Sequence, residues 1–333
     1  MPDRLPSKVL ITGGHYLGGV SSFAEGLRQG FAEREITVEV VPPGEIYRRL
    51  RALRDPGILK ILSTTAVFAA PLARRAICVS HGVPRGDAGL AKAAGLVTSL
   101  KIANRSSGAQ LVAVSHYTAS TLRTIFNIRS DAVIHNPLKS IFLEPYEYKP
   151  TGRCWITYAG RLIPAKNVHR IIPAIRDLLD EVPGLRACII GKGELRPELD
   201  GMVEGDSRFE FQGEPDDLAL RGWLRRTRVF VSGNETEGFG IAYVEAMSQG
   251  CVVAMPAGGG GIEISPERIG RGVQLLPMSW DRTETRDAFK RAVLQDWSPL
   301  DTEKFTVSAV AGFYLDVDAR FSPTGEVPRC RTL

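Results

Sequence analysis

Two glutamates eight positions apart, Glu237 and Glu245, enclose the string Gly238-Phe239-Gly240. A carboxylate can accept from two neighbouring hydroxyls, and backbone N–H groups beside glycine approach a sugar or phosphate without a side chain in the way. Glu245 is flanked by Val244, Ala246 and Met247, a setting that suits burial, and a buried carboxylate needs a partner. Upstream, YAGRLIPAKN places Arg161 and Lys166 just after an apolar run, where two cations can clamp a diphosphate. Taken alone, each of these cations reads as a solvated surface charge. A second loop, GKGE, spans Gly191 to Glu194. Near the N-terminus, ITGGHYLGG supplies Gly13, Gly14, Gly18 and Gly19, a pattern that lets an anion reach a helix N-terminus. The same loop also serves as a tight turn with no ligand.

These groups need elements to hold them. KVLIT (Lys8 to Thr12) reads as a buried strand, Val20 to Glu33 as a helix and Thr37 to Val41 as a second strand. Further strands are expected at Ala76 to Ser80, Leu111 to Ser115 and Ala132 to His135. No strand is evident between Val41 and Ala76, where AVFAAPLA has the look of a reworked remnant. In the second half, strands are expected from Trp155, Arg186, Phe209, Val229 and Cys251, and helices over Val168 to Leu179 and Leu218 to Arg225. Val307 to Asp318 closes the series as a helix. Strand–helix alternation in both halves predicts an α/β protein with two Rossmann-like domains and parallel sheets. The expected division is 1–145, 146–305 and a C-terminal helix and tail over 306–333.

Composition agrees with this. The chain has 333 residues, 44% hydrophobic and 24% charged, with a mean hydropathy of −0.05. At roughly 100–200 residues per domain, that length fits two domains. Long disorder and multiple membrane spans are excluded by it. The leading MPDRLPSKVLITGG lacks the apolar core of a signal peptide, so a cytoplasmic location is expected. Five cysteines show no zinc or CxxC spacing and read as buried, inert thiols. Residues 1–150 carry 19 Lys/Arg against 11 Asp/Glu, and residues 151–333 carry 23 against 26, so the halves stand at +8 and −3. The basic half holds Arg48, Arg49, Arg51 and Arg54, with Arg74 and Arg75 beyond. These suit either a solvated face or contact with an anionic membrane or acceptor. No aromatic–basic interleaving points to nucleic acid.

The glycine loop also resembles that of NAD-dependent sugar epimerases and dehydratases. Those enzymes need Tyr-x-x-x-Lys, and no tyrosine here has a lysine four residues on. A fuller series points elsewhere: GGHYLGGV, SHG at 80–82, VSHYTAS, VIHNP at 133–137, GRLIPAKN, GKGE, EGFGIAYVEAMSQG and GGGGIE. In this order the chain resembles the retaining glycosyltransferases of family 4, which have the GT-B fold, and the resemblance covers nearly its whole length.

That resemblance implies two Rossmann-like domains facing a central cleft, with the last helix returning to the first domain. It implies transfer of a sugar from a nucleotide diphosphate sugar, UDP-linked by preference and GDP-mannose second, to an acceptor hydroxyl with retention of configuration. The setting would be cell-surface polysaccharide, lipid-linked oligosaccharide or glycosylated metabolite synthesis. By position, Arg161 and Lys166 match the diphosphate-binding pair, Glu237 the donor-sugar contact and Glu245 the ribose ligand. Gly238, Phe239 and Gly240 supply backbone beside the sugar. His81 matches an active-site histidine of the first domain, Gly18 and Gly19 the loop that closes on diphosphate, and Gly191, Gly193 and Gly213 flank the base. No cofactor and no metal are implied. Asp316-Val317-Asp318 resembles a metal-binding Asp-x-Asp but falls in an expected helix. Partners would be the donor and a carbohydrate or lipid-linked acceptor, with peripheral contact at the inner face of an anionic membrane. Two departures stand out: Glu263 follows its last glycine by only two positions, and the first domain is short. A non-catalytic sugar-nucleotide binding protein is the other alternative, since it would bind donor without releasing nucleotide.

Overall fold

The computed structural model describes residues 5–13, 19–83, 90–144, 152–295, 297 and 300–319. The chain divides into two compact units, Met1–Lys139 with Glu303–Leu333, and Ser140–Thr302. The expected boundary after residue 145 lies outside the described residues.

The first unit runs β1 (Lys8–Thr12), α1 (Gly19–Ala32), β2 (Thr37–Val41), α2 (Leu50–Arg54), β3 (Ile58–Ser63), β4 (Ala76–Ser80), α3 (Leu90–Asn104), β5 (Ala109–Ala113), α4 (His116–Phe126) and β6 (Ala132–Val133). Its strands form one parallel sheet in the order β2-β1-β3-β4-β5-β6. Central strands such as β4, buried at every position, read as continuous apolar runs because helices cover both faces. Local signals set the helix ends: the Ser115 hydroxyl accepts from the Thr118 N–H (3.0 Å) to start α4, and Asn127, at φ 53°, ends it.

The strand judged missing is present. β3, with the sequence ILKILS, pairs with β1 and β4 in the middle of the sheet. Lys60 interrupts its apolar pattern and hides it from a hydropathy reading, yet Lys60 is fully buried. Its ammonium donates to the main-chain carbonyls of Asp55 and Arg74 (2.6 Å to Arg74), which is what a buried cation requires. AVFAAPLA is a 3₁₀ segment, Thr64–Leu72, following that strand.

The second unit runs β7 (Trp155–Ala159), α5 (Val168–Glu181), β8 (Arg186–Ile190), α6 (Arg196–Met202), β9 (Phe209–Gln212), α7 (Asp217–Arg226), β10 (Thr227–Val231), α8 (Ile241–Ser248), β11 (Val252–Pro256), β12 (Val273–Leu276) and α9 (Arg282–Leu294). Its parallel sheet has the order β12-β11-β10-β7-β8-β9. Val168, Ile171, Ile172, Ile175, Leu178 and Leu179 recur at helical spacing and put one face of α5 into the core of this unit.

α10 (Val307–Ala319) packs on α1 in the first unit. The two helices meet at Gly30, where a Cβ would lie 2.0 Å from the Val307 carbonyl oxygen. Asp318, 3% exposed, takes both arms of the Arg75 guanidinium at 2.7 and 2.5 Å, so the second aspartate of the Asp-x-Asp string is held in an internal ion pair. Burial pushes the thiols of Cys78, Cys188 and Cys251 up to about 12. At neutral pH they are protonated and unreactive.

Candidate functional site

In the second sheet the chain travels outward from β7 through β8 to β9, then restarts at β10 and travels the other way to β12. The order reverses between β7 and β10. In an open parallel sheet the loops leaving the strand ends diverge at such a point and form a crevice. The loop after β7 carries Arg161 and Lys166, and the loop after β10 carries Asn234, Glu235 and Glu237. The Lys166 ammonium donates to Glu237 Oε2 at 2.9 Å, and Asn234 Nδ2 donates to the same oxygen at 2.5 Å. Residues 71 positions apart thus meet at the switch point. Arg161 is exposed and has no ion-pair partner among the described residues.

A second layer fixes this pair. Asn167, in the left-handed conformation (φ 52°), donates through Nδ2 to Gly233 O (2.9 Å) and Glu235 Oε1 (3.1 Å). The indole N–H of Trp280, before α9, donates to the same Glu235 oxygen. Beneath, the Tyr158 hydroxyl donates to Arg161 O (2.8 Å) and the Tyr243 hydroxyl to Ser232 Oγ (2.9 Å). Burial raises both phenols above the ordinary tyrosine range, and the Glu237 charge raises them further. They remain protonated donors that hold the two loops to the sheet.

Eight positions would set Glu237 and Glu245 about two turns apart on one helix, but they do not share one. Residues 237–240 are a loop, and α8 begins only at Ile241. Gly240 has φ +91°, and a Cβ there would sit 2.5 Å from the Tyr243 ring, so the turn into α8 demands glycine. Glu245 lies in the second turn of α8 and is 7% exposed. Gly238 and Phe239 precede it in that loop, Phe239 buried. The glycine run after β11 supports the loop from behind, with the Gly260 N–H donating to Glu237 O (2.8 Å). Glu263 ends the 3₁₀ turn Gly260–Glu263.

Gly191 and Gly193 follow β8, and Gly213 follows β9, at the same sheet edge. A Cβ on Gly191 would stand 1.9 Å from Gly160 O, and one on Gly193 would stand 2.2 Å from Leu162 O. These glycines let the β7 and β8 loops lie backbone against backbone. Gly213 has no such crowding.

In the first unit, His81 follows β4, with its ring edge-on to Phe23 at 4.5 Å. Both ring nitrogens are buried without a hydrogen-bond partner among the described residues. Burial lowers the imidazole to about 4, so it is neutral at physiological pH. Gly19 is the first residue of α1, whereas Gly18 lies outside the described residues.

Sequence reasoning passed over Asn167, Asn234, Glu235 and Trp280. Asn167 ends the string YAGRLIPAKN and Asn234 stands three residues before Glu237, and an amide beside a cation or carboxylate is a readable signal. Trp280 joins Glu235 from 45 residues away, a separation no local pattern reveals.

Residues 153–291 match the family model described as Glycosyl transferases group 1. That match lies within the second unit. Among known proteins, a phosphatidylinositol N-acetylglucosaminyltransferase component from Arabidopsis thaliana is 26% identical over 164 residues, covering 47% of this chain and 37% of that protein. D-inositol 3-phosphate glycosyltransferase of Streptomyces scabiei is 30% identical over 132 residues, covering 35% and 29%. The chain thus spans under two-fifths of these relatives' lengths. Among solved structures, Anabaena HepE in complex with UDP and glucose superposes with a TM-score of 0.68 at 16% identity, over 93% of this chain and 99% of that one. AviGT4, a glycosyltransferase involved in avilamycin A biosynthesis, gives 0.62 at 17% identity over 95% and 98%. The fold is therefore GT-B.

Proposed function

We propose that this protein is a retaining glycosyltransferase that moves a sugar from a nucleotide diphosphate sugar to an acceptor hydroxyl. The reading rests above all on the Lys166–Glu237 pair, held by Asn234 at the switch point of a sheet that lies in the stretch matching the Glycosyl transferases group 1 model. A leaving diphosphate builds negative charge, and Lys166 with the exposed Arg161 is suited to stabilise it. Glu237 orients the ammonium and accepts from a donor-sugar hydroxyl. Glu245, on rigid α8, accepts from the two ribose hydroxyls. Gly191, Gly193 and Gly213 line the base, and backbone at 238–240 meets the sugar. Burial keeps His81 neutral, so the role that the resemblance gives it is that of an uncharged group. With Glu237 engaged by Lys166 and Asn234, same-face substitution is favoured, in which the leaving phosphate oxygen takes the acceptor proton. HepE was solved with UDP and UDP-glucose, which favours a UDP-sugar donor here. A relative named GDP-mannose-dependent alpha-mannosyltransferase keeps GDP-mannose second.

Nucleotide release from a panel of UDP- and GDP-sugars tests this. Lys166→Ala and Glu245→Ala are expected to lower kcat/KM by about 100-fold or more, the scale of losing one charged contact to a leaving group. Equal release by wild type and both variants refutes the assignment. Donor binding without release by the wild type would mark a non-catalytic binding protein.

A further inference from the structure

A cleft of about 720 Å³ opens on the first unit, lined by Arg54, Arg74 and Arg105 together with Leu72, Ser106 and Gly108. Its place in the sheet is distinctive. Arg54 ends α2 just before β3, Arg74 precedes β4, and Ser106 and Gly108 precede β5. The cleft therefore lies at the amino ends of β3, β4 and β5, whereas His81 follows the carboxyl end of β4.

The three arginine-bearing segments are pinned together. The buried Lys60 ammonium holds the carbonyls of Asp55 and Arg74, one on each of two walls. The Arg74 N–H donates to Leu53 O at 2.9 Å, and the Ala76 N–H to Gly108 O at 3.0 Å. Gly108 lies so close to Ala73 that a Cβ would sit 2.6 Å from the Ala73 carbonyl oxygen. Ser106 Oγ donates back to Ile102 O (2.8 Å) and fixes the chain leaving α3 beside Arg105.

The three arginines of the cleft, Arg54, Arg74 and Arg105, are exposed and make no ion pair among the described residues. Neighbouring arginines are satisfied instead: Arg75 by Asp318 and Arg49 by Glu39. The nearest carboxylate in sequence, Asp55, accepts from the Gly57 N–H at 2.8 Å. The carboxyl end of α3 adds roughly half a negative charge, against three full positive ones. Three arginines line one hollow, and a guanidinium group can bind two oxygens of a phosphate or diphosphate.

We infer that this cleft is a phosphate-binding site, separate from the switch-point site, for a ligand bearing a phosphate or diphosphate group. Two sources present that chemistry, a soluble phosphorylated molecule and the headgroup of an anionic lipid. Exposed Leu72 on the rim suits the second.

Calorimetric titration with inorganic pyrophosphate tests the inference, on the whole chain in an Arg161→Gln, Lys166→Ala background that disables both switch-point cations. Binding is expected, and it should weaken by about ten-fold or more when Arg54, Arg74 and Arg105 are all changed to Gln. A control that removes the same charge outside the cleft, with Arg48, Arg51 and Arg123 changed to Gln, should stay within about two-fold. A parallel arm measures co-sedimentation with vesicles of phosphatidylglycerol and phosphatidylcholine against phosphatidylcholine alone. Either ligand binding with this variant pattern supports the site, and the arm that responds identifies the source. Absence of binding in both arms, or equal weakening by the control, overturns it. All six arginines are exposed, so unchanged thermal melting is expected and excludes a folding artefact.

Discussion

At the scale of single residues, environment decides chemistry more than residue type does. His81 and Lys166 are both basic, yet burial strips one of charge while the other sits partly exposed against a carboxylate. The histidine leaves a measurable signature. Its folded value of about 4 lies below the ordinary 6.5, so the unfolded chain binds the extra proton as pH falls between the two. His81 thus contributes stability above the unfolded value that is lost as pH drops towards the folded one. Between about pH 7 and about pH 5.5 the wild type should lose about 1 kcal/mol more than a His81→Phe variant, measured by urea unfolding at each pH. Parallel curves for the two proteins would show that the imidazole is not sealed from protons. The site's charged members were legible in sequence because a cation pair and spaced glutamates carry their own chemical meaning. Asn234 and Trp280 were not, because their role exists only once two distant loops share an oxygen of Glu237 or Glu235.

At the scale of elements, what could be read was what repeats. Apolar runs marked β1, β4, β7 and β8, and the 3.6-residue stripe marked α5. β3 escaped because Lys60 stands where the pattern calls for an apolar side chain. That one residue is buried by reaching past the strand's end to two carbonyls, a tertiary solution without local spacing. α10 shows the same limit from the other side. Its helical character was plain, but the pairing of Asp318 with Arg75, 243 positions away, was not. The pair is largely shielded, so removing one partner strands the other. Asp318→Ala should lower unfolding free energy by about 3 kcal/mol, and adding Arg75→Met should recover part of it. Thermal or chemical melts of the three proteins check this, and a neutral Asp318→Ala would mean that the ion pair does not hold α10.

At the scale of the whole molecule, there are two parallel sheets of six strands each, and the candidate site of the second lies at strand carboxyl ends, where an open α/β sheet forms its crevice. Part of the uneven charge seen in the sequence acquires a location, since Arg54, Arg74 and Arg105 lie at the amino ends of strands of the first unit. No helix among the described residues is long and apolar enough to cross a membrane. The second unit is continuous in sequence, with its own sheet and buried core. A fragment of residues 140–302 is therefore expected to melt cooperatively by itself. Circular dichroism and calorimetry check this, and a gradual, non-cooperative transition would count against it.

The interlock of α1 with α10 has a consequence for how the protein is born. Residues 303–319 belong to a body whose other strands and helices were all translated before residue 140. On the ribosome, the second unit has its full complement of strands while α1 still waits with the groove at Gly30 unfilled. Vectorial synthesis therefore favours completion of the later-encoded body before the earlier one. The nascent first unit must keep that groove from other apolar segments until α10 emerges, an interval in which chaperone protection would matter most.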